Sequence, residues 1–485
     1  MDAQSLLWTD TDVYRHRYEK AATALVAVTE ALRARRPLDG GEEEFLSLYQ
    51  SLVAADPADF TLIWQDPFAY FWARLAYELT GWCLNPQPLP ASLARYCESL
   101  GVEDPHRALA LHLEEFKKFA VALAMITQVP RHFDRPLETT LPFSIPGTRF
   151  SALGHGPIAI AAVGNSALEV IHDGRNLRLD ATAASSNFED PRLVARPVLQ
   201  YEDFELSLKP ETFCVPGIEM ARALIDIPDD YQQQQIPLLR DALALVKRYQ
   251  PFALEHLGEM VQVIALKPPA TGTYSNTSFS DLPGAFILSA VNDSYWMADA
   301  LIHETLHNRL FFIIERGELL EDDEDERDEL YSPWRDDLRP ASGLLHAVYV
   351  YIGVAKFWLA VCASGETIGI RRELAEDQAM RAVLDLKIGI AQLRRHARFT
   401  EAGIEFFKEL QREVAGLASS AHALNLSSAA PATIINGQGQ MIPFAQGRDG
   451  RPVSILASIE AHAAQFDVHR QVANLVEILK FAAQS

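Results

Sequence analysis

Gly343 to Ala363 is an almost unbroken apolar run, and a chain that carries such a run has few ways to fold. A helix of that length and composition either crosses a bilayer or is surrounded by other protein elements. His346 and Lys356 interrupt it, and no second segment resembles it. The expectation is therefore a buried helix and no membrane partner. Such a helix needs neighbours. The 485 residues, 48% hydrophobic and 22% charged, are ordinary globular material, and a chain of this size can bury a core without disulfide or metal staples.

Periodicity elsewhere agrees. Asp12–Arg36, Phe68–Trp82 and His106–Thr127 each space apolar residues three and four apart, which predicts helices. From Leu141 to Pro216 the composition turns to Gly, Pro, Val, Ile and Thr. Short runs such as IAIAAV and LEVIH, parted by turn signals such as HDGRN, predict a β-rich insert. Helical periodicity returns at Gly217 and persists to about Ala423. A Pro/Thr/Ser-rich stretch, Lys267–Asp281, interrupts it and leads into a strand-like run, AFILSAV. The predicted class is mostly α with a β-rich insert (α+β). It divides into an N-terminal helical region (1–140), a β-rich segment (141–216), a helical catalytic domain with a short preceding strand (217–425), and a link with a final helix from about Ser454 to Ala483 (426–485).

Charge narrows the partners. Lys plus Arg is 43 against 65 Asp plus Glu, a net charge of −22, which argues against nucleic acid or an anionic membrane surface. Cys83, Cys97, Cys214 and Cys362 have no ligand spacing and predict reduced thiols in a cytoplasmic protein. The N-terminus, MDAQSLLWTDTD, carries acid where a signal peptide carries base and has no apolar core.

One motif carries chemistry: His303-Glu304-Thr305-Leu306-His307, inside a breaker-free helical pattern from Trp296 to Arg316. Histidines at i and i+4 lie about 40° apart around a helix, so both imidazoles can point at one ion. Glu304 projects beside them and can reach a metal-bound water or a substrate. AFILSAV, just ahead, is the kind of strand that lines a peptide groove in metal-dependent peptide-handling folds.

Two ligands leave a metal incomplete. A His six residues beyond His307 is ruled out, because position 313 is Ile. His346 is the best third candidate: it lies early in the next helix, behind the start signal Arg339-Pro340-Ala341-Ser342, among apolar neighbours. The acidic run Glu318–Glu329 reads instead as a solvated lid, because six consecutive carboxylates, Glu321–Glu326, repel one another. Between lid and His346 lies Tyr331-Ser332-Pro333-Trp334-Arg335-Asp336-Asp337-Leu338-Arg339-Pro340. Arg335 and Arg339 stand just before a helix start, where anions are favoured, and they read either as a carboxylate clamp beside the metal or as surface arginines balancing the adjacent acids.

At these residues the sequence resembles the HExxH-motif peptide-modification proteins found beside ribosomally made natural-product precursors. IHETLH, YSPWRDDLRP and GLLHAVYVY carry the likeness, closely over about Asp281–Phe357 and loosely over Gly217–Asn425. The resemblance implies an Fe(II)- and 2-oxoglutarate-dependent dioxygenase that hydroxylates a side-chain β-carbon of a precursor peptide. In that picture His303, His307 and His346 hold the iron, although the usual iron triad contains a carboxylate. Arg339, with Arg335 in reserve, holds the distal carboxylate of 2-oxoglutarate. Glu304 is a base or approaches the iron itself, and Asp299, four residues before His303, orients an imidazole.

Two further readings stand beside this one. In a zinc peptidase, Glu304 activates a zinc-bound water and 2-oxoglutarate plays no part. In a non-enzymatic helical scaffold, the chain binds a precursor peptide and the metal site is vestigial. The two arginines favour the oxygenase, since a peptidase needs no dicarboxylate clamp.

Overall fold

The computed structural model describes residues 13–35, 38–85, 88–127, 131–139, 141–152, 158–164, 167–172, 175–180, 193–215, 224, 227–228, 230–268, 275–321, 330–427, 433–435, 441–443 and 454–465. Helices open the chain: α1 (Val13–Ala34), α2 (Gly40–Val53), α3 (Pro57–Gln65), α4 (Pro67–Leu84), α5 (Ala91–Ser99), α6 (Pro105–Glu114) and α7 (Lys117–Thr127). Local chemistry sets several starts. Asp39, Asp66 and Asp104 accept hydrogen bonds from the first free N–H groups of α2, α4 and α6, and Pro67 and Pro105 sit where no N–H is needed. The single helix expected over His106–Thr127 is broken at Glu115–Phe116. There Phe116 packs edge-on against Phe45 at 4.9 Å, while Lys117 turns inward to Glu44 at 3.1 Å.

The β-rich expectation holds with two changes. Strand structure begins at β1 (Arg131–Thr139), ahead of Leu141, and IAIAAV and LEVIH fall in β4 (Ile158–Gly164) and β5 (Ala167–His172). With β6 (Arg175–Asp180) these form an antiparallel sheet in the order β1-β4-β5-β6. A smaller sheet joins β2 (Phe143–Ser144), β3 (Phe150–Ala152) and β7 (Leu193–Ala195). The second change is that β8 (Val198–Tyr201) and β9 (Phe204–Leu208) leave the insert. They join β10 (Val263–Lys267), β11 (Thr277–Ser278) and β12 (Ala285–Ser289) in the order β11-β12-β10-β9-β8.

That five-stranded sheet is the wall between two cores. β10 and β12 run parallel and every one of their residues is buried, as expected of parallel strands covered on both faces. Alternation then sorts their side chains. Ile264, Leu266, Phe286 and Leu288 pack into one apolar core, and Val263, Ala265, Ala285 and Ile287 pack into the other with the N-terminal helices. The first core is built on α8 (Tyr231–Gln234), α9 (Ile236–Tyr249), α10 (Pro251–Met260), α11 (Ser294–Arg316), α12 (Ala341–Ser364), α13 (Ile370–His396) and α14 (Glu401–Ala423). Helix α15 (Ile455–Ala463) covers part of α13 through Ile455, Ile459 and Ala463, and the rest of the final helix expected to Ala483 lies outside the described residues.

The chain is thus mostly helical with small sheets, an α+β protein. Among the described residues one helix, α12, is long and apolar enough to cross a membrane, and most of it is buried inside the protein. Its approach to α11 is close at Gly353, where an added Cβ would collide with Leu306 Cδ1 and stand 3.3 Å from Ile302 Cγ2. Leu306 and Ile302 are themselves buried, so any shift they make falls on the core around them. Gly353→Ala is therefore expected to destabilise the protein by about 1–3 kcal/mol through overpacking, read as a lower denaturant midpoint, with His346 shifted relative to α11.

The N-terminal core holds a histidine in one protonation state. His112 Nε2 donates to the Trp72 carbonyl at 2.8 Å, and its Nδ1 accepts from the Tyr96 hydroxyl at 2.6 Å, so the neutral ring is fully satisfied. Burial pushes its pKa down to about 4. Below about pH 6.5 the unfolded chain binds a proton that the folded chain refuses, so stability is present above that pH and lost towards pH 4. The contribution at stake is about 3 kcal/mol. Denaturant midpoints between pH 7 and 4.5 should fall more steeply for the wild type than for His112→Gln; parallel curves would show that His112 does not control this loss.

Candidate functional site

Helix α11 starts where Asp293 accepts hydrogen bonds from Tyr295 N–H and Trp296 N–H at 3.0 and 3.1 Å, and Arg371 pairs with the same carboxylate at 2.7 Å. From that start, Trp296, Asp299, Ala300, His303 and His307 fall within about 100° of one another around the helix axis. All five line one cavity of about 640 Å³. Its other walls are the Ser275–Ser278 strip, the loop bearing Ser332, Trp334, Arg335 and Arg339, and the first turns of α12 with His346 and Tyr351. The residues singled out from sequence therefore meet in one place.

The pair on α11 is well placed for an ion. His303 Nε2 and His307 Nε2 are 3.2 Å apart. An ion about 2.1 Å from each nitrogen would see them about 100° apart, an ordinary angle for two cis ligands. Burial holds His303 and His346 near pKa 4 and His307 well below its ordinary value, where the neighbouring His303 and His346 add to the effect. All three are thus unprotonated at neutral pH, as ligation requires. His346 lies beside the pair without closing on it: its ring is nearly parallel to that of His307 with centroids 5.8 Å apart, and Phe311 packs against both rings. Among the described residues no three His, Cys, Asp or Glu side chains are gathered as a metal site. The donors fit a two-imidazole seat, with the expected third donor on the adjoining wall.

Glu304 is held more firmly than the sequence suggested. It is 2% exposed, and Ser278 on β11 donates a hydrogen bond to its carboxylate at 2.5 Å. Asn308 Nδ2 donates to the Glu304 carbonyl at 3.0 Å, and Asn308 Oδ1 accepts from Gly284 N–H at 2.6 Å. Burial raises the Glu304 pKa to about 8 against the opposing Ser278 bond. Its Oε1 lies 4.0 Å from His303 Nε2.

The arginines lie together. The backbone N–H and C=O groups of Leu330 and Arg339 pair in both directions at 2.9 Å, closing the intervening segment into a loop. Arg335 Nε and Arg339 Nη2 both pair with Asp337, at 3.3 and 3.2 Å, and Arg339 Nε is buried with no partner. Most of the acidic lid expected ahead of this loop, residues 322–329, lies outside the described residues.

Two expectations change. AFILSAV supplies β12, an interior strand, and the edge facing the cavity is Thr277–Ser278 of β11. The cause is the Ser/Thr-rich stretch, which the sequence presents as an interruption but which adds one more antiparallel pairing. Asp299 orients no imidazole: its carboxylate accepts from Trp358 Nε1 at 2.6 Å, because Trp358 on α12 faces that turn of α11. Burial raises Asp299 to a pKa of about 7. Sequence reasoning also missed Ser278, Asn308, Trp296, Ser332 and the stacked pair Trp334–Tyr351, 4.7 Å apart. Asn308 and Trp296 stood one residue after the motif and two turns before it, and Ser332, Trp334 and Tyr351 stood inside YSPWRDDLRP and GLLHAVYVY.

Compared with known proteins, the chain matches no protein-family model and no curated protein.

The paired nitrogens generate a direct test. After loading with Fe(II) under anaerobic conditions, metal occupancy should fall about tenfold or more in His303→Ala and in His307→Ala, because each removes half of the seat. Occupancy equal to wild type in either variant would locate the ion elsewhere.

Proposed function

We propose that the protein is a cytoplasmic Fe(II)- and 2-oxoglutarate-dependent oxygenase that hydroxylates a side-chain β-carbon of a ribosomally synthesised precursor peptide. The observation that carries the reading is the sharing of one cavity by a two-imidazole seat and a buried guanidinium nitrogen without a partner, Arg339 Nε. An unpartnered buried donor is costly, and a ligand carboxylate is the group that relieves it best. When bound, iron supplies oxygen activation and 2-oxoglutarate supplies the accompanying electrons.

The chain's own residues then have separate tasks. His303 and His307 would hold the metal, with His346, packed against His307 and Phe311 on the adjoining wall, as the third donor. Arg339 binds the distal carboxylate, with Arg335 beside it and Asp337 keeping both guanidinium groups in place. Glu304 and Ser278 fix α11 against the sheet edge. Thr277–Ser278 supports a peptide substrate, since an edge strand offers backbone N–H and C=O groups to an extended chain. The four free cysteines suit a reducing compartment.

A second reading, a zinc peptidase, has one observation in its favour: the Glu304 carboxylate lies beside His303, where a base for a metal-bound water belongs. Titrating 2-oxoglutarate into the anaerobic Fe(II) protein separates the two. The oxygenase reading expects a saturable charge-transfer band. It also expects an affinity about tenfold or more weaker in Arg339→Ala, with iron content unchanged, and only partial rescue by Arg339→Lys. A wild type that binds no 2-oxoglutarate and cleaves peptides with zinc would establish the peptidase instead.

A further inference from the structure

One wall of the cavity carries a donor and an acceptor that the oxygenase reading leaves unused. Trp296 Nε1 is buried and has no hydrogen-bond partner. Asp299, three residues on and on the same face of α11, gives one carboxylate oxygen to Trp358 Nε1 at 2.6 Å and lines the cavity. The Trp296 and Trp358 rings meet edge-to-face at 5.8 Å, which fixes the indole beside the carboxylate. Asp299 lies one helical turn before His303, about 6 Å along the axis, and Trp296 about 10 Å.

A buried N–H donor beside a carboxylate acceptor is complementary to few side chains. An aliphatic side chain would leave the indole N–H and the second Asp299 oxygen without a partner, at a cost that sites of this kind convert into strong rejection. An ionised carboxylate would satisfy the indole but be repelled by Asp299. A carboxamide meets both, its C=O accepting from Trp296 and its NH₂ donating to Asp299. We infer that Trp296 and Asp299 form the specificity subsite for the substrate side chain, and that this side chain is the carboxamide of Asn or Gln. Anchored there, its carbons lie between the subsite and the His303–His307 pair. The inference rests on the proposed reading in taking the cavity to be the site of a modified peptide side chain.

The test uses the full chain labelled with ¹⁵N at tryptophan, with and without Zn(II) as a diamagnetic ion. The Trp296 indole N–H resonance is assigned by its loss in Trp296→Phe, which keeps the aromatic ring. It is then followed on titration with N-acetyl amides of asparagine, glutamine, leucine and aspartate. The asparagine and glutamine probes should move it saturably, with leucine and aspartate at least about tenfold weaker, and Asp299→Asn should weaken the asparagine probe about tenfold. An indole resonance that stays still, or that responds equally to leucine or aspartate, overturns the inference. Discrimination among probes is read on the unmutated chain, so a misfolded Asp299→Asn leaves the result standing. A chain that binds the amides but takes up neither Fe(II) nor 2-oxoglutarate keeps the subsite and removes the oxygenase. A chain that takes up both yet ignores the amides does the reverse.

Discussion

Glu304 is a carboxyl almost wholly removed from solvent, and much of the surrounding architecture is fixed by the need to make that tolerable. Ser278 reaches it from the edge of the sheet, Asn308 reaches its backbone carbonyl from the next turn, and Gly284 N–H anchors Asn308 at the head of β12. One chain of hydrogen bonds thereby sets the height of α11 against β11 and β12. The same registration brings His303 and His307 to the cavity mouth, level with the Ser275–Ser278 strip. Removing any link strands a buried polar group, so the network specifies position more than it adds stability.

The second constraint is steric. Gly353 lets α12 lie against Leu306 and Ile302 of α11, and the first turns of α12 then carry His346 and Tyr351 into the cavity wall. Tyr351 stacks on Trp334 and meets the His303 ring edge-on at 5.1 Å, so the arginine loop is packed against the histidine pair through two aromatic rings. On the far side, β10 and β12 pass the load to the N-terminal helices by alternating their side chains between two cores. Lys20 and Tyr70 complete the link, both bonding Glu315 near the end of α11. A helix fixed at its start, middle and end by three different elements holds the His303 and His307 Nε2 atoms 3.2 Å apart.

What the sequence made legible follows from the range of the interactions. Period and breaker signals found α11 and α12 nearly to the residue, because those signals are local, and they identified α12 as a buried helix. The motif histidines and Arg339 were legible because their spacing is itself the chemistry. The break at Glu115 was not, since it answers to Phe45 and Glu44 far back in the chain. Nor was β11, two residues long in a Ser/Thr-rich stretch, whose role comes from the strand it pairs with. Asp299 shows the limit most plainly: its place on the helix face was correct, but its partner came from α12, and no spacing within α11 could name Trp358.

The electrostatic character of the cavity follows from the same burial. Desolvation favours the uncharged form of the histidines and carboxyls around it, lowering His303, His307 and His346 and raising Glu304 and Asp299. The result is a set of neutral imidazoles beside carboxyls that hold protons more tightly than usual, and among the described residues lining the cavity the formal positive charges are on the opposite loop at Arg335 and Arg339. A divalent cation at the His303–His307 pair would draw the carboxyls back towards their charged forms. It would also strengthen the attraction of that side of the cavity for anions, which the two arginines already exert from the other. Metal and carboxylate ligand would therefore each favour the other's binding.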